Sequence, residues 1–242
     1  MTKAILDHNE AGLADFIAGW TERLRGSDVL AAGFAVMGLT NFGERPLSSA
    51  RLAEILGRSV SEAEALAQGH ASPGAPVTCG SADEIGLLRV EDGIITFEPE
   101  RARSAPRRQL RIGERRFGFI GCAPDVFLYA PLIRPSLQVE ETCPATGTPM
   151  RLVFTRNRVE SVEPEGVVVP ILPPEEFDWL EGLLDRDPCA NLCADSPFYS
   201  SAEAAQGWLA AHPGGRVFSV RDAWDLSFHR AWRDRMSALL KP

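Results

Sequence analysis

Residues 117–133 read FGFIGCAPDVFLYAPLI, an almost wholly apolar run broken by one carboxylate, Asp125, and one thiol, Cys122, three positions before it. Burying a charged carboxylate in such a run is costly, so its pKa is expected to rise unless something pairs with it. Pro124 predicts a turn that brings thiol and carboxyl to a common surface. A plainer role also fits, with Asp125 capping a helix that begins at Val126 and Cys122 as a small buried hydrophobe. The residues by themselves leave both readings open.

Downstream, residues 143–149 (CPATGTP) form a turn rich in Pro and Gly. Gln138 to Thr142, Met150 to Phe154 and Arg158 to Val162 read as short extended or mixed segments, as does the 117–133 run itself. Gly166 to Leu172 is apolar and β-branched, hence strand-like, and Pro174 suits the first turn of a helix over Glu175 to Leu184. Ser201 to Ala211 reads as a helix capped by Ser200 or Ser201, and Val217 to Val220 as a short strand. A closing helix over Ala223 to Leu240 sets Trp224, Phe228, Trp232, Met236 and Leu240 near one face.

Upstream, Gly12 to Leu24 carries Leu13, Phe16, Ile17, Trp20 and Leu24 at helical spacing. Val29 to Leu39 is an apolar segment of core-helix character. Ser48 and Ser49 offer an N-cap for Ala50 to Leu56, and Ser61 followed three residues on by Glu64 is a capping-box spacing for Glu62 to Gln68. Gly86 to Pro99 reads as a β-hairpin turning at Glu91-Asp92-Gly93. Two short helices followed by a hairpin suggest a winged-helix unit. Its second helix is acidic, with Glu62 and Glu64, which favours a packing role over DNA binding. The fold class expected is therefore α+β: a helical, winged-helix-like domain over 1–100, then a mixed or antiparallel β-sheet domain with flanking helices over 101–242.

With 45% apolar and 24% charged residues the chain has the make-up of a soluble globular protein. A net charge of −8 argues against broad electrostatic binding to nucleic acid, although seven arginines between Arg101 and Arg116 allow a local basic patch. The start, Met1 to Glu10, lacks the apolar core of a secretory signal, and no segment has the roughly 20 apolar residues of a spanning helix. A cytoplasmic location without membrane contact is expected.

Five cysteines, Cys79, Cys122, Cys143, Cys189 and Cys193, are too few for a disulfide scaffold at this length. Cys189 and Cys193 could share one helical face, but Pro188 and Pro197 argue for a loop. With the four histidines scattered, a structural zinc site has little support. Phosphate-loop, nucleophile-elbow, zinc-protease and dinucleotide-binding patterns are all absent from the sequence.

Taken in order, several pieces resemble one family. Gly121-Cys122-Ala123-Pro124-Asp125-Val126-Phe127 resembles the alkylmercury lyase signature, in which Cys-Ala, a variable residue and Asp precede an apolar run. Cys143-Pro-Ala-Thr-Gly resembles that family's Cys-Ala-Ala-Thr-Gly turn. Cys193, ahead of Pro197-Phe198-Tyr199-Ser200-Ser201, Trp208 and His212, is similar to its second catalytic cysteine. The resemblance implies an organomercurial lyase with a catalytic domain of that type, for which Cys122, Asp125 and Cys193 are the catalytic residues. The two thiolates, with Asp125 beside them, would hold the Hg(II) product transiently, and Cys143 would be structural. It implies no resident cofactor, a small organomercurial substrate, and small thiols or a mercuric reductase to take Hg(II) away, as in mercury resistance. Cys79 and Cys189 receive no role. Ala194, Asp195 and Ser196 depart from the family pattern beside Cys193, which leaves room for a same-fold lyase acting on another carbon–metal or carbon–heteroatom bond. A metal- or thiol-responsive winged-helix regulator is a further alternative.

Overall fold

A computed structural model describes residues 10–26, 47–69, 87–98, 108–119, 122–176 and 196–239. Expectations for Val29–Leu39, for most of Glu175–Leu184 and for Cys79, Cys189 and Cys193 fall outside them.

The frame is a five-stranded antiparallel sheet with helices against it. Its strands are β4 (Arg108–Ile112), β5 (Arg115–Phe119), β6 (Ser136–Thr142), β7 (Pro149–Thr155) and β8 (Val159–Glu163), in the order β5-β4-β6-β7-β8. Side chains alternate faces along a strand, and here Leu137 and Val139 of β6, Met150, Leu152 and Phe154 of β7, and Leu110 and Ile112 of β4 are buried. The same alternation places two charged residues on that inner face. Arg108 and Glu141 are buried and sit directly opposite each other across β4 and β6. The β4–β5 hairpin was not among the expected elements, because its arginines read as a charge run although Arg108, Leu110 and Ile112 follow strand alternation.

A smaller sheet pairs β9 (Val168–Ile171) with β10 (Arg216–Ser219). Tyr199 joins β9 by two backbone hydrogen bonds with Val168, of 2.9 and 3.0 Å, an isolated antiparallel bridge at that sheet. Between β5 and β6 runs one short helix, α4 (Asp125–Tyr129), continued by a 3₁₀ turn over Ala130–Leu132. Every residue of α4 is buried. Trp232 Nε1 donates to the Leu128 carbonyl at 3.0 Å, which satisfies a backbone acceptor near the end of α4. Trp232→Phe strands that buried carbonyl and is expected to cost about 1–3 kcal/mol of unfolding free energy, read from denaturant midpoints.

Ahead of this frame come α1 (Glu10–Gly26), β1 (Leu47–Ser48), α2 (Ser49–Leu56), α3 (Val60–Gly69), β2 (Leu87–Glu91) and β3 (Ile94–Glu98), with a sheet order of β1-β3-β2. Phe16, Trp20 and Leu24 of α1 belong to the same buried cluster as the sheet. Trp20 Nε1 donates to the Leu172 carbonyl at 3.0 Å, and its ring stacks 5.8 Å from Phe228. Close approach requires Gly19 here, because a Cβ would sit 2.6 Å from Pro174 Cγ. Ser48 caps α2 as expected, and its side chain accepts from the Arg51 N–H at 3.1 Å. The hairpin turns at Asp92 and Gly93, both at positive φ (50° and 74°), the geometry of a two-residue type I′ turn.

Three expectations are corrected. The capping box is Ser59 with Glu62, not Ser61 with Glu64: Ser59 N–H donates to Glu62 Oε2 at 2.9 Å and Glu62 N–H to Ser59 Oγ at 3.3 Å. The left-handed Gly57 ends α2 early enough for the chain to re-enter a helix at Val60. The helix expected from Ser201 is shorter, α5 (Gln206–Ala211), because residues 201–205 form turns. The closing helix is two, α6 (Val220–Asp225) and α7 (Ser227–Leu239), broken at Leu226 with ψ 141°. At that break the Ala223 carbonyl accepts both the Leu226 N–H (3.3 Å) and His229 Nδ1 (2.6 Å).

Candidate functional site

The turn entering α4 brings Cys122 and Asp125 together. Pro124 takes the N-cap position with helical φ and ψ and offers no side-chain cap. Asp125 reaches backwards instead: its Oδ2 accepts the Cys122 N–H at 2.9 Å, while its own N–H donates to the Cys122 carbonyl at 3.1 Å. Both backbone groups of Cys122 are thus held by one residue. Cys122 is 2% exposed and Asp125 5% exposed. The expected helix start at Val126 shifts to Asp125, and its carboxylate binds the upstream turn.

The walls are aromatic. Phe127, two residues on, meets Phe154 edge-on at 5.5 Å, Phe198 at 6.4 Å and Trp224 at 6.4 Å, and lies flat against His229 at 4.9 Å. Such contacts fix the rotation of α4 and hence the direction in which the Cys122–Asp125 turn faces.

His229 is fully enclosed. Burial holds its pKa down to about 3, helped by the positive charge of Arg233 and opposed by the bond to the Ala223 carbonyl. A carbonyl only accepts, so Nδ1 carries the proton of this neutral ring. The unfolded chain takes up a proton near the ordinary histidine value of 6.5 while the folded chain resists until about 3. This contribution to stability is therefore whole above pH 6.5 and is lost as pH falls from there towards 3. His229→Gln is expected to flatten the acid limb of the stability–pH curve, measured as denaturant midpoints between pH 7 and 4.

Cys143 starts the second predicted turn. Its N–H donates to the Thr148 carbonyl and its carbonyl accepts the Gly147 N–H, each at 2.9 Å, with Gly147 at φ 72°. Burial raises its pKa, but hydrogen bonds from the Ser200 and Thr146 side chains and the Ser200 and Ala145 N–H groups outweigh it and set it at about 7. Those bonds tie the turn to Ser200.

The segment that follows Cys193 in sequence also docks here. The Ser196 carbonyl accepts the Ala123 N–H at 2.7 Å, beside Cys122. Ser196 and Phe198 are buried, and Phe198 packs on Phe127. The part played by Ser196 is not legible in the sequence, since a backbone carbonyl leaves no residue-type signal. Phe198, Arg108 and His229 are not legible as parts of the site because their neighbours are distant in the chain. Cys193 itself lies outside the described residues. Among the described residues no three His, Cys, Asp or Glu side chains cluster closely enough to hold a metal ion, and no helix is long and apolar enough to cross a membrane.

A buried thiol and carboxylate on one turn, set in a mixed helix and antiparallel-sheet frame, define the class of structure. The alkylmercury lyase family model matches residues 108–232, more than half of the 242 residues, and the chain belongs to that family. Alkylmercury lyases of Bacillus cereus and Clostridium butyricum are each 37% identical over 105 residues, covering 43% of this chain and 44% of the relative. One from Staphylococcus epidermidis is 35% identical over 108 residues, covering 45% and 46%. The chain therefore matches a little under half the length of these relatives. A solved structure, the mercury-bound form of MerB2, superposes with a TM-score of 0.53 at 16% identity, over 91% of this chain and 98% of that one. That likeness is one of fold.

Proposed function

We propose that this protein is an organomercurial lyase that splits a carbon–mercury bond by protonolysis. The observation that carries the reading is the buried Cys122–Asp125 turn with the segment after Cys193 docked on it through the Ala123–Ser196 hydrogen bond. Only two residues, Ala194 and Asp195, separate Cys193 from Ser196 in the sequence. That short link motivates assigning the Cys193 thiol to the same site.

Mercury is a soft cation and thiolates are its strongest protein ligands. In the reaction proposed, Cys122 displaces the substrate's ligand X from R–Hg–X, forming a sulfur–mercury bond and releasing HX. Cys193 then adds as a second thiolate, its proton passing to Asp125. Asp125 gives that proton to the carbon as the carbon–mercury bond breaks, and the bonding pair goes to the new C–H bond. The products are RH and Hg(II) held by two thiolates. Asp125 is buried and its Oδ2 accepts the Cys122 N–H, which places a carboxyl group beside the thiol for general acid–base work. No resident cofactor is required, and a small thiol or a mercuric reductase would accept the Hg(II).

Among the described residues the front elements run helix, strand, helix, helix, hairpin with the strand order β1-β3-β2, which supports reading them as a winged-helix unit. We assign it a packing role, because α3 carries Glu62 and Glu64 with no Lys or Arg to face phosphates.

The test is turnover of phenylmercury acetate in excess small thiol, with benzene measured in the headspace. The wild-type protein is expected to release benzene, and Cys122→Ser to release none above the uncatalysed background. No benzene from the wild-type protein sinks the reading.

A further inference from the structure

Two charged residues on the inner face of the main sheet have no part in the chemistry proposed above. Arg108 Nε donates to Glu141 Oε2 at 2.7 Å, with the two side chains 4% and 0% exposed. The second oxygen, Glu141 Oε1, is buried with no hydrogen-bond partner among the described residues. Dehydrating such a pair costs several kcal/mol per ion, and apolar residues of similar volume commonly serve stability as well or better. An unmet buried acceptor adds to that cost. Stability is a poor reason for these residues at these positions, so the neighbours they touch become informative.

The Arg108 guanidinium lies 5.2 Å from the centre of the Phe198 ring, within cation–π range. Phe198 in turn packs at 6.4 Å on Phe127, the residue that orients α4. Two residues before Phe198, the Ser196 carbonyl holds the Ala123 N–H, and one residue after it Tyr199 is zipped to β9. The sheet's charged pair therefore braces, through one aromatic ring, the strip of chain from Ser196 to Tyr199.

We propose that the buried Arg108–Glu141 pair is a positioning device: through Phe198 it clamps the segment that follows Cys193 onto the Cys122–Asp125 turn. Glu141 fixes the guanidinium, whose planar face sets the Phe198 ring, and that ring sets the register of Ser196 against Ala123. Neither residue touches the reacting atoms. The proposal rests on the lyase reading for its effect on turnover, but not for its effect on burial of the Cys122 thiol.

The experiment replaces both partners, Arg108→Met with Glu141→Met, in the full chain. Paired apolar substitution preserves the melting temperature when only bulk is needed. Loss of the clamp is expected to lower kcat for phenylmercury at least about tenfold with KM little changed, since small displacements of reacting groups are costly. In parallel, iodoacetamide labelling of Cys122, followed by mass spectrometry, is expected to quicken at least about tenfold, because local opening controls access to this buried thiol. Phe198→Leu, which removes the ring and keeps an apolar side chain, is expected to give the same two changes. Combined with Arg108→Met, its effect should be non-additive. Cys122 labelling at the wild-type rate in a folded double variant overturns the proposal. If that variant does not fold, wild-type labelling in Phe198→Leu overturns it instead. Were the wild-type protein to release no benzene, the lyase reading would fail, and the labelling arm would still decide the clamp.

Discussion

Asp125→Asn is expected to lower benzene release from phenylmercury by about 10²- to 10⁴-fold, the range set by loss of a positioned proton donor. The substitution separates two roles that share one side chain. The asparagine carbonyl oxygen can still accept the Cys122 N–H that Oδ2 accepts at 2.9 Å, so the turn and the burial of both residues persist. What disappears is the proton. The folded state should remain within about 2 kcal/mol of wild type by denaturant titration, the scale of one altered buried hydrogen bond. Phenylmercury should still add to Cys122, detectable as a mass increase on the protein, and stay there unsplit. Activity within tenfold of wild type would remove Asp125 from the chemistry and leave it only the turn.

The largest effect on stability is expected from Phe127→Ala. Phe127 is completely buried and touches Phe154, Phe198, Trp224 and His229. Aromatic-to-alanine changes in a packed core cost about 3–5 kcal/mol, through lost transfer energy and the cavity left behind. Here the cavity would open between α4, β7, α6, α7 and the strip through Phe198. Because a whole domain is stable by only about 5–15 kcal/mol, the variant should sit near the edge of folding. A two-state denaturant titration is the check. A cost below about 1 kcal/mol would mean that α4 is oriented by its backbone bonds alone.

These expectations depend on features that differ in how visible they are in the chain. Cys122 and Asp125 stand out because one thiol and one carboxylate interrupt an apolar run, and local chemistry links them over three residues. Strands β6 and β7 follow from period-two burial, since an antiparallel sheet with one face on the core writes its pattern into each strand. Strand β4 was hidden by that same rule, because Arg108 occupies a position where alternation calls for an apolar residue. A buried cation is recognisable only once Glu141, 33 positions away, is placed opposite it. The break at Leu226 was hidden for a similar reason. The apolar face from Trp224 to Met236 continues in helical register, and only the capture of the Ala223 carbonyl by His229 shows that the helix has ended. Ser196 contributes a carbonyl, which every residue possesses.

Cys193 carries the central claim, because two-thiol capture requires it. A single-turnover experiment tests this most directly: one equivalent of phenylmercury per chain, with no added thiol. The wild-type protein is expected to release one equivalent of benzene and to retain one equivalent of Hg(II), seen as thiolate-to-mercury absorption in the ultraviolet and as a mass increase on the intact chain. Cys193→Ser should release none while Cys122 still binds the organomercurial. Benzene appearing from Cys193→Ser at the wild-type rate would contradict the two-thiol mechanism.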